Sequence, residues 1–423
     1  MNFPLRWYLT SSAFVLVPGG IQAVLFPWLV AVYLHESPTR VGVAQMAGQL
    51  PMLLLILVGG LLGDRVNQRR LLIRLHTLML VPPLLMAALV YGGLLAYPLL
   101  IGWALVGGVL GAFAQPARDA LLSRVAGQDV QRVVMLATAV QFGVQVVGFG
   151  LGSMADRTGP APLMITQAAF MALCVWATAR LPDLAAEPTR VQGHPLRDIG
   201  EGLAIAWRSP SIRPALMLVF AVGLFFAGTY MVVLPLMVRD IYHGGAGGMA
   251  ASFALNMLGT VCTIFLLMRR GGIERPGRAL LLGGAVSSCV LFGLHLPLPM
   301  WGFYIITFIW GMCGGISMTM GRAIVQEAAP ASHRARVMSV YSLGMMGGMP
   351  IGSVVLGWCV GQFGARNAVL VPVIGMACVL VVVALTTRLW TITRAPAAPV
   401  RTPDVAPAGR AAEGQVALLA AAD

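Results

Sequence analysis

The chain contains no lysine. That absence removes the Walker A phosphate loop, which requires one, and with it a transport ATPase that burns its own nucleotide. Acidic residues number only 15 in 423, and charged residues of all kinds make up 10% of the chain. A soluble domain carries about a quarter. The six cysteines (Cys174, Cys262, Cys289, Cys313, Cys359, Cys378) form no C-x-x-C pair. A dithiol redox centre or a thiolate metal site is therefore not indicated, and each cysteine reads as a small buried hydrophobe within an apolar run. No H-E-x-x-H or Ser-His-Asp pattern stands out. No enzyme is expected, and no cofactor or metal.

What the chain does have is apolar sequence. It is 58% hydrophobic, with a mean hydropathy of +0.84. Runs long enough to cross a bilayer, roughly 20 residues, recur from end to end. The expected class is all-α and integral to a membrane. A β-barrel would show short segments of alternating polarity instead. Twelve spans are expected near 10–34, 41–62, 71–95, 99–122, 133–155, 161–180, 213–237, 249–268, 279–296, 300–321, 338–360 and 367–388. The first run is too long for a signal-peptide core and no A-x-A site follows it, so it is expected to be a retained helix.

The net charge of +13 would suit nucleic acid, but its distribution argues otherwise. With the N-terminus inside, 24 of the 28 arginines fall on one side, and only Arg40, Arg157, Arg239 and Arg366 fall on the other. Positive residues are retained on the cytoplasmic side. Both termini are thus expected in the cytoplasm, with no nucleic-acid partner. The exclusive use of arginine points to GC-rich coding and a bacterium, which places the chain in a bacterial inner membrane as a multi-pass protein.

Organisation along the chain is two-fold. Residues 1–181 hold six spans, 182–212 form a linker, 213–390 hold six more, and 391–423 form an Ala/Pro-rich cytoplasmic tail expected to be disordered. Within the linker, Leu196, Ile199, Leu203, Ala206 and Trp207 share a helical face, as in a helix lying on the membrane surface. A shift of 204 residues lays Gly107 on Gly311, Gly111 on Gly315, Arg118 on Arg322, Gly148 on Gly352 and Arg65 on Arg269. Such an internal repeat is expected of a duplicated transporter.

Between the second and third spans stands Gly60-Leu-Leu-Gly-Asp64-Arg65-Val-Asn67-Gln-Arg69-Arg70. It resembles the signature loop of the major facilitator superfamily, G-x-x-x-D-R-x-G-R-R, departing at Asn67, where asparagine is expected to keep a left-handed turn. The span count, the central linker and the repeat agree with that resemblance. It implies a fold of twelve transmembrane helices in two pseudo-repeated six-helix bundles that work by alternating access. It further implies a cytoplasmic latch between the halves, with Asp64 facing the start of the eleventh span near Met338 to Ser342, Arg65 paired with Asp119, and Arg69 and Arg70 alongside. Arg118 and Arg322, at the ends of the fourth and tenth spans, sit at the cytoplasmic rim with Asp119 and Glu327. A simple role in retaining the loop inside stays open for Arg69 and Arg70, and plain helix-end snorkelling for Arg118 and Arg322.

Polar side chains inside spans face protein or water rather than lipid. Gln22, Gln45, Gln49, Gln115, Gln141 and Gln145 in the first half are candidates to line a cavity. So are Thr229, Tyr230, Asn256 and Tyr341 in the second. Each is also a candidate for a helix–helix hydrogen bond. No carboxylate lies mid-membrane, and His76 lies near the end of a helix that the resemblance makes peripheral. Two alternatives stay open: coupling to the proton gradient through the rim acids, or transport without strict coupling.

The linker DIGEGLAIAWRSPSIRPAL, the stretch QPARDALLSRV and RARVMSVYSLGMMGGMPIGSVVLGW are similar to the branch of that superfamily that holds the enterobactin exporter and macrolide-efflux carriers. The resemblance implies a monomer that exports a hydrophobic or amphipathic small molecule. Siderophores come first and drugs second, with hand-over to a periplasmic or outer-membrane export system. A nutrient importer shares the fold. An anion importer would carry mid-cavity basic residues, which are absent, and a non-transporting receptor would not need an intact Asp64–Arg65.

Overall fold

In the computed structural model, the described residues are 3–126, 130–182, 195–269, 273, 275–330 and 333–391. Within these, the side chains of 57, 60–65, 123, 126, 130–132, 134, 135, 195–199 and 335 are outside the described set. Thirteen helices of ten residues or more make up most of the described part: α1 (Phe3–Tyr33), α2 (Pro38–Arg65), α3 (Gln68–Tyr91), α4 (Tyr97–Ala126), α5 (Val130–Gly152), α6 (Pro160–Ala179), α7 (Pro195–Arg208), α8 (Ile212–Asp240), α9 (Ala246–Arg269), α10 (Pro276–Phe292), α11 (Met300–Ala328), α12 (Arg334–Ala368) and α13 (Leu370–Thr386). Helix α7 lies in the linker, so the seventh to twelfth spans are α8 to α13. Every expected span has its helix. In hydrocarbon, only intrasegment hydrogen bonds can satisfy the backbone, which is why each apolar run becomes a helix.

Among the described residues, ten helices are long and apolar enough to cross a membrane. Helix α2 is 28 residues long, and α13 is an apolar helix of 17, about 26 Å at 1.5 Å per residue. Large apolar side chains such as Leu54, Tyr91, Trp301, Ile374 and Leu385 stand exposed on the outside of the fold. In water such a surface would drive association; around a spanning bundle it is the lipid face.

The repeat seen in the sequence is a repeat of contacts. Helix α1 packs on α5 and α2 on α4 in the first half, as α8 packs on α12 and α9 on α11 in the second. Gly148 touches Gly20 where α5 crosses α1, and Gly352 touches Leu224 where α12 crosses α8. Both residues of the first pair are displaced by 204 in the second. A Cβ on Gly148 would sit 2.7 Å from the Gly20 Cα, so these crossings need glycine. In α11, Gly311 and Gly315 approach α9 as expected, but in α4 Gly108 takes this role against Gly48, while Gly107 and Gly111 have open space beside them.

The two faces of the bundle differ. The terminal face holds residue 3, the 66–67 turn, α7 and residue 391. The distal face holds the 34–37, 92–96, 153–159, 241–245 and 293–299 connections. At the terminal face Asn67 does not adopt a left-handed turn. Its φ of −65° and ψ of 110° make it the N-cap of α3, its side chain accepting from the Arg70 N–H at 3.1 Å. An asparagine there replaces the glycine of the signature by capping rather than by bending.

Helix α7 packs against α12. Ala206 is buried, and a Cβ on Gly202 would lie 3.0 Å from the Arg336 carbonyl, so the small residues pack on α12. Glu201 binds Arg336 at 2.6 Å. Leu203 and Trp207 point outward and are exposed. Leu196 and Ile199 have side chains outside the described set, as do Asp64 and Arg65; the expected tail, 392–423, lies wholly outside the described residues.

Candidate functional site: a distal latch and an amide-lined cavity

Two short stretches near the distal face are wound as π-helix, Leu29–Tyr33 in α1 and Thr229–Val233 in α8. A π turn shifts the hydrogen-bond register and exposes carbonyls that an α-helix would hold. Each stretch offers one to the opposite half. The Ala31 carbonyl accepts from Arg239 Nη1 at 3.1 Å, and the Met231 carbonyl accepts from Gln45 Nε2 at 3.1 Å. Arg239 Nη1 also donates to the Glu36 carbonyl at 3.0 Å, while its Nε and Nη2 hold Asp240. Arg40 pairs with Glu36 at 2.7 Å and lies over the Tyr97 ring.

Asp156 makes a second link. Its Oδ1 accepts from the buried Trp28 indole at 2.8 Å, and its Oδ2 from the Gly247 backbone N–H at 3.2 Å. Gly247 is in the first turn of α9, where unpaired N–H groups and the helix dipole favour a carboxylate. Asp156, on the connection between α5 and α6, thus caps a helix of the other half. Glycine at 245 leaves room for this, since a Cβ there would push the carboxylate aside. Next to it α2 and α12 approach backbone to backbone, Gly42 against Ser353 and Gly357 against Pro38. The described hydrogen bonds between the halves therefore gather toward the distal face and close it.

Reading the sequence passed over this latch, although its signal was present. Gly152-Ser-Met-Ala-Asp156-Arg157-Thr-Gly159 repeats the G-x-x-x-D-R-x-G spacing of Gly60 to Asn67. Here the last position, Gly159, is glycine and has a φ of 75°. Arg40 and Arg239, two of the four arginines that break the charge asymmetry, are the ones tied into the distal cluster.

At the terminal face, Arg69 Nη2 donates to the Ala179 carbonyl at 2.6 Å. It caps the end of α6 and so binds within its own half. Arg118 donates to Gln115 Oε1 at 3.3 Å, and Gln115 to Asp119 at 3.5 Å. Arg70, Arg322 and Glu327 are exposed.

The polar residues of the spans divide into two sets. Gln22, Gln45 and Gln49 line one open cavity of about 460 Å³ among α1, α2, α3, α4 and α6, with Met231 of α8 at its edge. Gln167 of α6, unremarked in the sequence, also lines it. Gln22 Oε1, Gln49 Oε1 and Gln167 Nε2 are buried without a protein partner, each a cost of about 1–3 kcal/mol unless something else bonds it. Trp103, Phe26 and Met52 supply apolar wall, and no charged side chain lines the cavity. Gln115, Gln141 and Gln145 do not line it.

The second-half candidates serve packing rather than this cavity. The fully buried Thr229 hydroxyl returns to the Phe225 carbonyl at 2.6 Å, and Asn256 Nδ2 donates to the Thr307 carbonyl at 3.2 Å. Tyr230 stacks on Phe253 with 4.7 Å between centroids, and Tyr341 is buried beside Gly321. His76 is fully buried, its Nδ1 at 3.3 Å from Cys174 Sγ, and Ser11 binds Thr178 at 2.7 Å beside them. These groups tie α1, α3 and α6 together through polar bonds.

Twelve spanning helices in two repeated halves, whose described hydrogen bonds to one another gather near one face, define a transporter of the major facilitator superfamily. Within it, the chain belongs to the transmembrane secretion effector family, whose profile matches residues 5–420. It is 27% identical over 376 residues to the multidrug efflux pump Tap of Mycolicibacterium fortuitum, covering 84% of this chain and 88% of Tap. It is 21% identical over 393 residues to the staphyloferrin A transporter of Staphylococcus aureus, covering 89% and 94%. Among solved structures, the nucleoside transporter NupG aligns with a TM-score of 0.75 at 12% identity, over 93% of this chain and 100% of its own. A bacterial homologue of the human lysosomal transporter Spinster, in an inward-facing and unoccupied conformation, aligns at 0.73 and 12% identity, over 94% and 100%. These two share the fold.

Proposed function

We propose that the chain exports a small hydrophobic or amphipathic molecule across a bacterial inner membrane by alternating access, with its terminal face in the cytoplasm. The observation that carries this reading is the closed distal face, held by Asp156 on α9 and by Arg239 on α1. In a carrier whose halves rock about a central site, closing one face goes with opening the other. The arginine asymmetry expected from the sequence supports the orientation. The secretion-effector family and the likeness to Tap support outward transport.

Siderophores and lipophilic drugs are the two substrate classes that the relatives' names suggest, the drug pump being the more similar of the two at 27% identity against 21%. The cavity's lining of amides, thioethers and aromatics favours an uncharged member of either class, as expected of pockets for bulky neutral ligands. A cytoplasmic latch at Asp64 and Arg65, working against the distal one, completes the cycle.

The test is deletion of the gene, with restoration by wild type or by Asp156→Ala. Secreted and retained metabolites are profiled in iron-poor medium, and susceptibility to lipophilic drugs is measured alongside. A siderophore retained in the deletion strain, or a rise in drug susceptibility, supports export and separates the two classes. Loss of uptake of a nutrient, with neither effect, contradicts it.

A further inference from the structure

At the terminal face, the lipid-facing surface ends in arginines stacked on tryptophans. Along α6 the exposed side chains of Ile165, Leu173 and Trp176 share one stripe, and the exposed Arg180 stands one turn beyond Trp176. The Arg180 guanidinium lies 5.2 Å from the Trp176 ring centre and 5.8 Å from that of Trp7 on α1. The two indoles meet edge to face at 5.1 Å, and the exposed Phe3 packs against Trp7. Stacking engages the faces of a guanidinium and leaves the N–H groups of its edge for hydrogen bonds. Among the described residues, those of Arg180 meet no acceptor.

The second half builds a like arrangement from other residues. Arg278, which stands 204 residues beyond Arg74, heads the exposed stripe of Leu282 and Val286 on α10. Its guanidinium lies 5.3 Å over the Trp390 ring, and its Nε donates to the Trp390 carbonyl at 3.2 Å. In each half the third and sixth helices pack together, α3 on α6 and α10 on α13. The arginine–tryptophan pairs stand at the terminal ends of these helix pairs.

Charge there is of one sign. Helices α1, α3 and α6 carry Arg6, Arg69, Arg70 and Arg74, with Arg180 directly after α6, and contain no aspartate or glutamate. Helices α10 and α13 contain none either, and carry Arg278 with Arg388 two residues after α13. Snorkelling places an arginine at a helix end; stacking on an indole also holds its plane, which suits paired bonds to phosphate oxygens. A soluble anion would leave the apolar stripes below uncovered, whereas acyl chains cover them. A zwitterionic headgroup brings an ammonium into a field that is already positive, and an anionic headgroup does not.

We propose that the terminal ends of α1 and α6, and those of α10 and α13, each hold one anionic phospholipid. Its phosphate sits on the edge of Arg180 or Arg278, and its acyl chains run along Leu173, or along Leu282 and Val286. The first site adjoins the signature loop, because Arg69 donates to the Ala179 carbonyl, one residue before Arg180. A lipid held there steadies the helix end on which that loop is anchored.

The test uses the intact chain purified in detergent and incubated with equal amounts of dioleoylphosphatidylglycerol and dioleoylphosphatidylethanolamine. Native mass spectrometry reads the lipids retained, and the common acyl chains cancel. The wild type should retain two lipids, with phosphatidylglycerol favoured about fivefold at each, the factor given by about 1 kcal/mol per arginine at a membrane surface. Arg180→Gln and Arg278→Gln should each remove the preference at one site, and the double variant should show none. Arg180→Lys keeps the charge without the flat fork and should keep only part of the preference. Trp176→Leu should lower it at one site, and Arg157→Gln, on the distal face, should leave it unchanged. Size-exclusion profiles confirm that each variant is folded.

Equal retention of the two lipids by the wild type would overturn the proposal, as would a preference that survives in the folded double variant or falls equally in Arg157→Gln. Displacement of phosphatidylglycerol by inorganic phosphate would reveal a simple anion site and overturn the lipid assignment.

Discussion

Asp156 caps a helix that belongs to the other half of the molecule: its carboxylate accepts from the Gly247 N–H at 3.2 Å. The connection between α5 and α6 thereby holds α9, and Trp28 of α1 steadies the same carboxylate from its own half. An exposed carboxylate at a helix N-terminus contributes about 0.3–1 kcal/mol. Asp156→Asn keeps the shape and removes the charge. It should raise the population with an open distal face about twofold to fivefold. The rate of thiol labelling at His243→Cys, on the distal face, measures this, and an unchanged rate counts against the latch.

Gly245 offers an independent route to the same break. Alanine there places a methyl group against the Asp156 carboxylate. Gly245→Ala should match Asp156→Ala in its effect on transport, and the double variant should be no worse than either single one. Residues that act through one contact are not additive. Additive losses would show that Gly245 has a separate role.

Arg239 bonds two carbonyls through one nitrogen while its other nitrogens hold Asp240. A lysine has one compact head and cannot reproduce that fork. Arg239→Lys should therefore lose most of the transport that Arg239→Ala loses. Full activity in the lysine variant would show that charge alone suffices.

The backbone approach of Gly42 to Ser353 leaves no space for a side chain. Gly42→Val should prop α2 from α12 and reduce transport at least tenfold, with normal membrane insertion. Retained transport would mean that the two helices do not need to close there.

Asp64 lies on the opposite face, in the loop whose resemblance implies a latch. Asp64→Ala should shift labelling at His243→Cys in the direction opposite to Asp156→Asn. A shift in the same direction would refute two opposed latches.

Much of the fold could be read from residue order. Apolar runs locate every spanning helix because hydrocarbon permits little else, and Gly148 and Gly352 carry the repeat because two backbones meet there. The same spacing logic pointed only to the loop at Asp64 and passed over its counterpart at Asp156. The partner there is a backbone N–H nearly a hundred residues away, which leaves no mark on local sequence. Gln167 was unreadable for a related reason: whether an amide in a span faces a cavity or another helix depends on packing, as Asn256 and Gln49 show by dividing between the two. Asn67 looked like a turn residue and proved to be a cap, since both uses draw on the same short amide.

The most direct test of alternating access is a pair of distances in one preparation. Nitroxide labels at Thr158 and His243 report the distal face, and labels at Arg74 and Ala328 report the terminal face, after the exposed Cys289 and Cys378 are replaced by alanine. In nanodiscs the wild-type chain should show a short distal distance, and Asp156→Ala should lengthen it while the terminal distance shortens. Distances that do not move, or that lengthen together at both faces, would contradict the account.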